Sequence, residues 1–365
     1  MSYRVVVLGG TGNFGARIVR ALKDDRGIEV VAASRSGKAV PGAEGVRAVV
    51  LDAFAADFGA KLAGLAPDLV IHTVGPFQGQ DYRVAEAALA AGAHYLDLAD
   101  GREFVCAFAR AIHAQAVKAG RVALSGASTL PALSSAVIEQ LRVPLRTLET
   151  VDIAIAPGQR AVRGVATLAA VFSYLGRPIP VWRKGQWVKA FGWMDIRRVP
   201  LSFGSRWGAL CEVPDLTLIP AQYPEVQNVR FHAALEFRLQ HVVLWALAGL
   251  RRLGLPLAVD RWAAHLDRVS GVFDPFAGAW GGMRVSVVGE NVQRERVRRT
   301  WELTAPAADG PEIPTFAAVL LARRLAGGER FDAGARPCVG LVGLSAFEGE
   351  FGKWGITTKI EEGAV

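Results

Sequence analysis

The segment Gly9-Gly10-Thr11-Gly12-Asn13-Phe14-Gly15 constrains the fold of this chain more than any other feature. It follows a short apolar run, Val5 to Leu8, and opens a pattern of helical spacing. In G-x-G-x-x-G, Gly10 permits a tight turn, Gly12 lets a diphosphate approach the backbone, and Gly15 lets the helix pack on the strand. The N–H groups at the helix start then bind the phosphates. The segment therefore predicts a dinucleotide-binding unit.

Short β-branched runs alternate with longer helical patterns up to about Leu124, which is typical of a parallel sheet with crossover helices. We predict strands at 5–8, 29–33, 47–51, 69–73, 95–98 and 121–124. The predicted fold class is α/β, a Rossmann doubly wound parallel sheet over residues 1–130.

Residues 131–335 have a different pattern, and we predict a second α+β substrate and dimerisation domain with a mixed or antiparallel sheet. A helix that starts at Pro131 leaves the first sheet, and hairpins are expected at 181–188 and around Gly289-Glu290-Asn291. Helices are predicted at 165–175, 239–253, 259–266 and 315–325, where they would cover one face of that sheet.

Composition narrows the class of protein. The chain has 365 residues, of which 51% are hydrophobic, so it can bury cores of two or three domains. Its three cysteines, Cys106, Cys211 and Cys338, lie too far apart for a zinc ribbon or a disulfide framework, and we predict no metal site. The first residues do not resemble a signal peptide, and a cytoplasmic location is the expectation.

The end of the second predicted strand indicates which dinucleotide binds. An Asp or Glu there would bind the ribose 2′-hydroxyl of NAD, whereas this chain has Ser34-Arg35-Ser36 and no acid before Glu44. The guanidinium of Arg35 suits a 2′-phosphate, and the two serines can add hydrogen bonds. We therefore predict NADP(H), with an ordinary solvated Arg35 as the alternative. Asp52, after the third strand, can accept from the adenine amino group or be an exposed loop carboxylate.

The nicotinamide is expected at the end of the fourth strand, beside Val74-Gly75-Pro76-Phe77. Gly75 permits close approach and Pro76 stiffens the turn. His72, inside that strand, is interpreted as a core histidine rather than a proton donor. The predicted cofactor-binding residues are Gly10, Thr11, Gly12, Asn13, Phe14, Gly15, Ser34, Arg35, Ser36, Asp52, Val74, Gly75 and Pro76.

Three segments make the chain resemble the saccharopine dehydrogenase-like oxidoreductases: GGTGNFG, Val74 to Gly101, and Ser125 to Ala136; GGMRVSVVG and WELTA match more loosely. The resemblance implies a nicotinamide-binding Rossmann domain, a second α/β domain with the substrate site, and a last segment that returns to the first domain. By that analogy, residues 336–365 return, with PCVGLVGL as a packing strand or helix. Many relatives have Ser-Gly-Glu where this chain has Ala99-Asp100-Gly101-Arg102, so a role of that Glu does not carry over.

The reaction class follows by elimination. None of the five tyrosines has a lysine four residues on, which argues against short-chain dehydrogenase chemistry, and the three cysteines are interpreted as inert buried thiols. Direct hydride transfer to or from a C=N, C=O or activated C=C of a small substrate, anionic or acyl, remains. A non-catalytic NADP(H)-sensing regulator is the alternative.

The proton donor is sought among polar groups at the carboxyl edge of the sheet, where Asp97, Asp100, Arg102 and Tyr82 are expected. We predict Asp100 and Arg102 as catalytic residues. A solvated turn in which Asp100 caps the following helix explains the same residues equally well.

The distribution of charged and apolar residues indicates which macromolecules or surfaces the chain could contact. The net charge is +8, and residues 160–206 contain nine basic residues against one acid, Asp195. That span also carries six Trp and Phe residues, which we assign to a core or an apolar pocket rather than to nucleic-acid binding. The helix predicted at 239–253 is apolar on two sides, which predicts first a core and homodimer position, and second a peripheral membrane contact helped by Arg251 and Arg252.

Overall fold

The computed structural model describes residues 2–161, 165–257 and 262–365, which form two compact units. The first unit contains the residues up to Leu133 together with Pro311–Gly343, and the second contains Ser134–Gly310 and Leu344–Val365. The expected division was 1–130, 131–335 and 336–365. The return to the first unit thus begins near Pro311 rather than near Arg336, and the last residues belong to the second unit.

The first unit is built on a parallel sheet of seven strands, in the order β15-β6-β5-β4-β1-β2-β3, which confirms the predicted doubly wound fold. Val5, Val6 and Val7 are fully buried, as expected for a strand covered on both faces. The six predicted strands all form, and the seventh comes from the returning segment. The strands are β1 Tyr3–Leu8, β2 Ile28–Ser34, β3 Arg47–Val50, β4 Leu69–His72, β5 His94–Asp97, β6 Val122–Ser125 and β15 Gly334–Pro337.

Five helices accompany this sheet. They are α1 Asn13–Leu22, α2 Phe58–Gly64, α3 Arg83–Ala90, α4 Arg102–Ala119 and α10 Ile313–Ala326. The expectation that the helix at 315–325 covers the second sheet is wrong, because α10 packs on α1. Periodicity shows that a helix has an apolar face but not which sheet covers that face. The segment PCVGLVGL, residues 337–344, was expected to be the packing strand or helix. The strand that pairs with β6 is instead β15, which ends at Pro337.

The second unit is built on a mixed sheet of nine strands, as predicted. Its main path is β10-β11-β12-β7-β13-β14-β16, in which β12 and β7 are parallel, while β8 joins at β12 and carries β9. Both predicted hairpins form, as β8 with β9 and as β13 with β14. The strands are β7 Thr150–Ala156, β8 Pro178–Arg183, β9 Gln186–Phe191, β10 Arg197–Val199, β11 Arg206–Leu210, β12 Asn228–Leu235, β13 Trp280–Glu290, β14 Arg296–Pro306 and β16 Thr357–Ala364.

The described residues of this unit form six α-helices: α5 Ser134–Arg142, α6 Val165–Tyr174, α7 Asp215–Gln222, α8 Arg238–Arg252, α9 Ala263–Ser270 and α11 Leu344–Phe351. The helix predicted at 259–266 begins outside the described residues. One turn of π-helix, Thr129–Leu133, precedes α5 where a helix start at Pro131 was predicted. Within the described ranges, we find no helix with the length and apolarity that crossing a bilayer requires.

Candidate cofactor site

The glycine loop lies directly on the second strand. Gly9, which follows β1, has a φ of +77°, a conformation that favours glycine. The N–H of Gly10 donates to the carbonyl oxygen of Ala33 at 3.0 Å, and a β-carbon on Gly10 would lie 3.0 Å from the Cα of Ala32. The loop therefore sits at the carboxyl end of β1 beside the end of β2, where the Rossmann fold binds a dinucleotide.

Thr73, which is not among the predicted site residues, holds the loop from the other side. Its hydroxyl donates to the carbonyl oxygen of Leu8 at 2.8 Å. A β-carbon on Gly15 would lie 2.8 Å from the same hydroxyl oxygen, and one on Gly9 would lie 2.7 Å from it. Thr73 follows a buried strand directly, but no local pattern pairs it with residues sixty positions away.

The start of α1 fits a diphosphate. Gly12 is the N-cap residue and makes no side-chain cap, Thr11 and Gly12 are exposed, and no acid lies in the first turn of this fully described helix. A β-carbon on Gly12 would lie 3.1 Å from the carbonyl oxygen of Gly9, and among the described residues beyond its chain neighbours no other atom lies within 4 Å of it, so the helix start is otherwise open. Asn13 accepts from the Nε of Arg17 at 3.5 Å, and Phe14 is half-buried. An anion is favoured at such a helix start.

The end of β2 presents a polar, cationic loop. The Ser34 hydroxyl is buried, accepts from the N–H of Gly37 at 3.1 Å, and lies 3.4 Å from the Ser36 hydroxyl. Arg35 is exposed, and so is Lys38, which is not among the predicted cofactor-binding residues. The two serines thus shape a tight turn that leaves two cations at its rim. Lys38 was identifiable in principle, because it lies within three residues of Arg35.

Asp52 lies after β3 and is half-buried. Its carboxylate accepts from the N–H of Phe54 at 3.0 Å, which is a local turn contact. One oxygen is thus used to shape the loop.

The segment predicted to face the nicotinamide is held by two glutamines. Gln80 donates through its amide nitrogen to the carbonyl oxygens of Val74, at 2.8 Å, and Pro76, at 2.6 Å. Gln78 donates to a carboxylate oxygen of Asp100 at 3.4 Å. A β-carbon on Gly101 would lie 3.4 Å from the backbone of Phe77. The structure therefore brings the turn after β4 and the turn after β5 into contact.

Two of the polar groups at this edge have structural roles. Asp97 is fully buried, and one of its oxygens accepts from the N–H groups of Ala99 and Gly126 and from the Ser125 hydroxyl, at 2.8 to 3.0 Å. Burial raises the pKa of Asp97 to about 6. The hydroxyl of Tyr82 donates to the carbonyl oxygen of Phe104 at 3.0 Å. Asp97 therefore ties β5 to β6, and Tyr82 fastens α4.

His72 is a core histidine in the structure. It is buried, its Nδ1 lies 3.0 Å from the Tyr95 hydroxyl, and its ring packs edge-on against Phe77. Burial lowers the pKa of His72 to about 3, so the ring is neutral at physiological pH.

Asp100 and Arg102 lie in the turn before α4. Asp100 is half-buried, and burial raises the pKa of its carboxyl above the ordinary value. The N-cap of α4 is Gly101, with no side-chain cap, so the structure gives Asp100 no capping role. Arg102 is the first residue of the helix. Asp100 is thus a partly accessible carboxyl at this edge, and burial raises its pKa.

Known proteins resemble the first part of this chain in sequence and the whole chain in fold. Residues 5–124 match the family model described as the saccharopine dehydrogenase NADP binding domain. No curated protein matches. Among solved structures, apo saccharopine dehydrogenase (L-Glu forming) from Saccharomyces cerevisiae is similar over 100% of both chains, with 13% identity and a TM-score of 0.70.

Two further solved structures share the fold. Homospermidine synthase from Legionella pneumophila, in complex with NAD, matches over 100% of this chain and 92% of its own, with 11% identity and a TM-score of 0.63. The DAP dehydrogenase of C. glutamicum, in complex with DAP, matches over 94% and 95%, with 14% identity and a TM-score of 0.50. At such identities the likeness establishes the fold.

The glycine loop, its place in a doubly wound sheet and the match over residues 5–124 define an oxidoreductase that uses a nicotinamide dinucleotide. Within it, residues 5–124 are similar to the saccharopine dehydrogenase NADP binding domain, and the fold of the whole chain is similar to that of saccharopine dehydrogenase.

Proposed function

We propose that this protein transfers a hydride between NADP(H) and a C=N, C=O or activated C=C bond of a small anionic or acyl substrate. The observation that carries the cofactor assignment is the loop at the end of β2. It has buried Ser34 and exposed Arg35, Ser36 and Lys38 where an acid would favour NAD. A 2′-phosphate bound at this loop would lie near two cations, Arg35 and Lys38, and near no acid of the loop.

The nicotinamide supplies or accepts the hydride when it is bound. The chain contributes a rigid rim, formed by Val74–Phe77 and held by Gln80, against which the ring is oriented. Asp100 accepts a hydrogen bond from Gln78, which follows that rim in the chain. Its carboxyl can hold the proton that reduction of a C=O or C=N requires. Arg102, at the head of α4, supplies a cation for a developing or resident negative charge.

Stopped-flow measurement tests this function. Enzyme-bound NADPH is mixed with panels of imines, ketones and enoyl thioesters, and the decay of reduced nicotinamide absorbance is followed. One panel should give saturable, single-turnover oxidation. Tight NADPH binding with no oxidation by any panel contradicts the catalytic proposal.

A specific observation also supports the second candidate, an NADP(H)-sensing regulator. Asp97 and Tyr82, two of the four polar groups expected at the nicotinamide edge, are committed to structural hydrogen bonds. A sensor needs the nucleotide cradle but no proton donor. Limited proteolysis with and without NADPH distinguishes the two, because a sensor should change its cleavage pattern without consuming the nucleotide.

A further inference from the structure

Helix α8 carries an exposed stripe that is entirely apolar. Its members recur at helical spacing, and the exposed fraction reaches 60% at Leu239 and 82% at Leu253 just beyond the helix. We call this stripe the α8 face; its residues are Leu239, Val242, Val243, Ala246, Leu250 and Leu253. The sequence predicts two apolar sides for this helix, one for a core and one for a homodimer contact, and the structure places the α8 face toward solvent.

The opposite side of α8 is fixed to the second unit. His241 and Ala248 are buried, and a β-carbon on Gly176 would lie 2.3 Å from the carbonyl oxygen of Ala248. Arg251 donates to the carbonyl oxygens of Phe172, at 2.9 Å, and Leu175, at 3.2 Å. The orientation of the helix is therefore set by its inner side, and the α8 face is exposed as a consequence.

The apolar surface continues past the start of the helix. The ring of Phe237 packs on Phe273 with centroids 5.0 Å apart, which places the segment 271–276 against this end of α8. Gln159 strengthens that contact, since it bonds both Gln240 and Asp274. Exposed apolar side chains of this adjoining segment are Val272 and Phe276. An exposed apolar surface of this extent marks an interaction site.

Cations flank the α8 face. Residues 238–257 contain no acid, and the guanidinium of Arg252 lies 4.3 Å from the ring centroid of Phe191 on β9. That contact joins the helix to the β8–β9 hairpin, which exposes Lys184, Trp187 and Lys189. Asp195, the acid of this basic span, is already paired with arginines.

These observations favour one occupant. A two-fold dimer through the α8 face would bring identical patches together, and an antiparallel helix pair would set Arg238 of one copy against Arg251 and Arg252 of the other. An anionic lipid surface instead complements the flanking cations and accepts apolar side chains and tryptophans. At 15 residues α8 is about 22 Å long, shorter than the roughly 30 Å hydrocarbon core. We propose that the second unit binds the surface of anionic membranes through the α8 face, with the helix lying in the plane of the interface.

Vesicle flotation of the full chain tests this proposal. Vesicles of phosphatidylcholine alone are compared with vesicles that also contain phosphatidylglycerol. The chain should float with the anionic vesicles and remain behind with the neutral ones. Val242→Gln/Val243→Gln should weaken binding by at least roughly tenfold, because two side chains lose burial in the acyl region. Arg252→Gln should weaken it about fivefold, and high salt should weaken it further.

Matched variants serve as controls. Val143→Gln/Val292→Gln makes the same change at two exposed valines outside the α8 face, and Arg298→Gln removes an exposed arginine of β14. All variants should retain NADPH binding and the melting temperature of the parent, and the controls should float as the parent does.

Three results overturn the proposal. In the first, the chain does not float and light scattering shows a dimer that Val242→Gln/Val243→Gln dissociates, which would assign the α8 face to a second copy. In the second, the chain does not float and is a monomer. In the third, the α8 variants and the controls float equally well, which would place the membrane contact elsewhere.

Discussion

Gly15 and the carbonyl oxygen of Gly9 face each other so closely that a β-carbon on Gly15 would lie 2.2 Å from that oxygen. Real β-carbons do not approach a carbonyl oxygen to this distance, so the first turn of α1 and the end of β1 can meet only if residue 15 is glycine. Gly12 has a different environment, because a β-carbon on it would lie 3.1 Å from the carbonyl oxygen of Gly9 and the residue is exposed.

Gly15→Ala should therefore destabilise the first unit, while Gly12→Ala should leave the fold intact and weaken cofactor binding. Overpacking of this kind costs about 1–3 kcal/mol. Thermal unfolding and NADPH titration, measured on both variants, separate the two effects. Similar melting temperatures for both variants would show that the contact with Gly9 relaxes at little cost.

Arg35→Ala should discriminate between the two cofactors. A charged hydrogen bond to phosphate is worth about 1.5–3 kcal/mol, so NADPH binding should weaken by about ten- to a hundredfold and NADH binding should be nearly unchanged. Arg110→Ala removes an exposed arginine of α4 and is the matched control. Lys38→Ala should show the same selectivity with a smaller effect, since ammonium makes no bidentate contact. Equal losses for NADPH and NADH would refute a 2′-phosphate site at this loop.

Asp100→Asn should slow hydride transfer without weakening NADPH binding. Removing a general acid costs about a hundredfold or more in rate, and the asparagine retains the hydrogen-bond acceptor for Gln78. A general acid must be protonated, so the parent's rate should fall as the pH rises through the pKa of Asp100. That limb of the pH–rate profile should disappear in the variant. If rate and profile stay those of the parent, Asp100 is structural, and Arg102→Gln becomes the variant to measure.

The sequence predicted the first unit closely, because its signals are local. Buried apolar runs mark β1 to β6, and the glycine loop marks the turn after β1. The seventh strand was not predicted, since Gly334–Pro337 is short, contains glycine and proline, and is a strand only because β6 offers it a parallel partner. The helix α10 was predicted at nearly its observed bounds and assigned to the wrong sheet for the same reason: its partner lies about 300 residues away.

In the candidate site, too, local sequence signals were predictive and contacts between distant residues were not. Arg35 and its serines follow from the position of a strand end, and the structure adds Lys38 to the same loop. Thr73 and Gln80 could not be found, because each acts through contacts with backbone that only the folded sheet brings near. The amphipathic pattern of α8 likewise indicated two apolar sides but not which one the unit would cover.

His241, on the inner side of α8, should make the second unit sensitive to acid. Its ring lies 5.4 Å from Trp193 and 6.3 Å from Trp207, and among the described residues neither ring nitrogen has a hydrogen-bond partner. Burial lowers the pKa of His241 from 6.5 to about 4. As the pH falls below 6.5 the unfolded chain binds a proton that the folded chain does not bind, so stability is lost progressively down to about pH 4.

At about pH 5 this linkage costs about 2 kcal/mol, since one unit of pKa corresponds to about 1.4 kcal/mol. His241→Leu and His241→Gln should both abolish that loss, whereas only the leucine variant should also gain stability at about pH 8, because glutamine keeps a buried polar group in an apolar setting. Denaturant unfolding of parent and variants at the two pH values measures the difference directly. If the effect of each substitution on the free energy of unfolding is the same at both pH values, the folded and unfolded chains bind the proton equally. The fold then does not lower the pKa of His241, and the neutral assignment at about pH 5 is wrong.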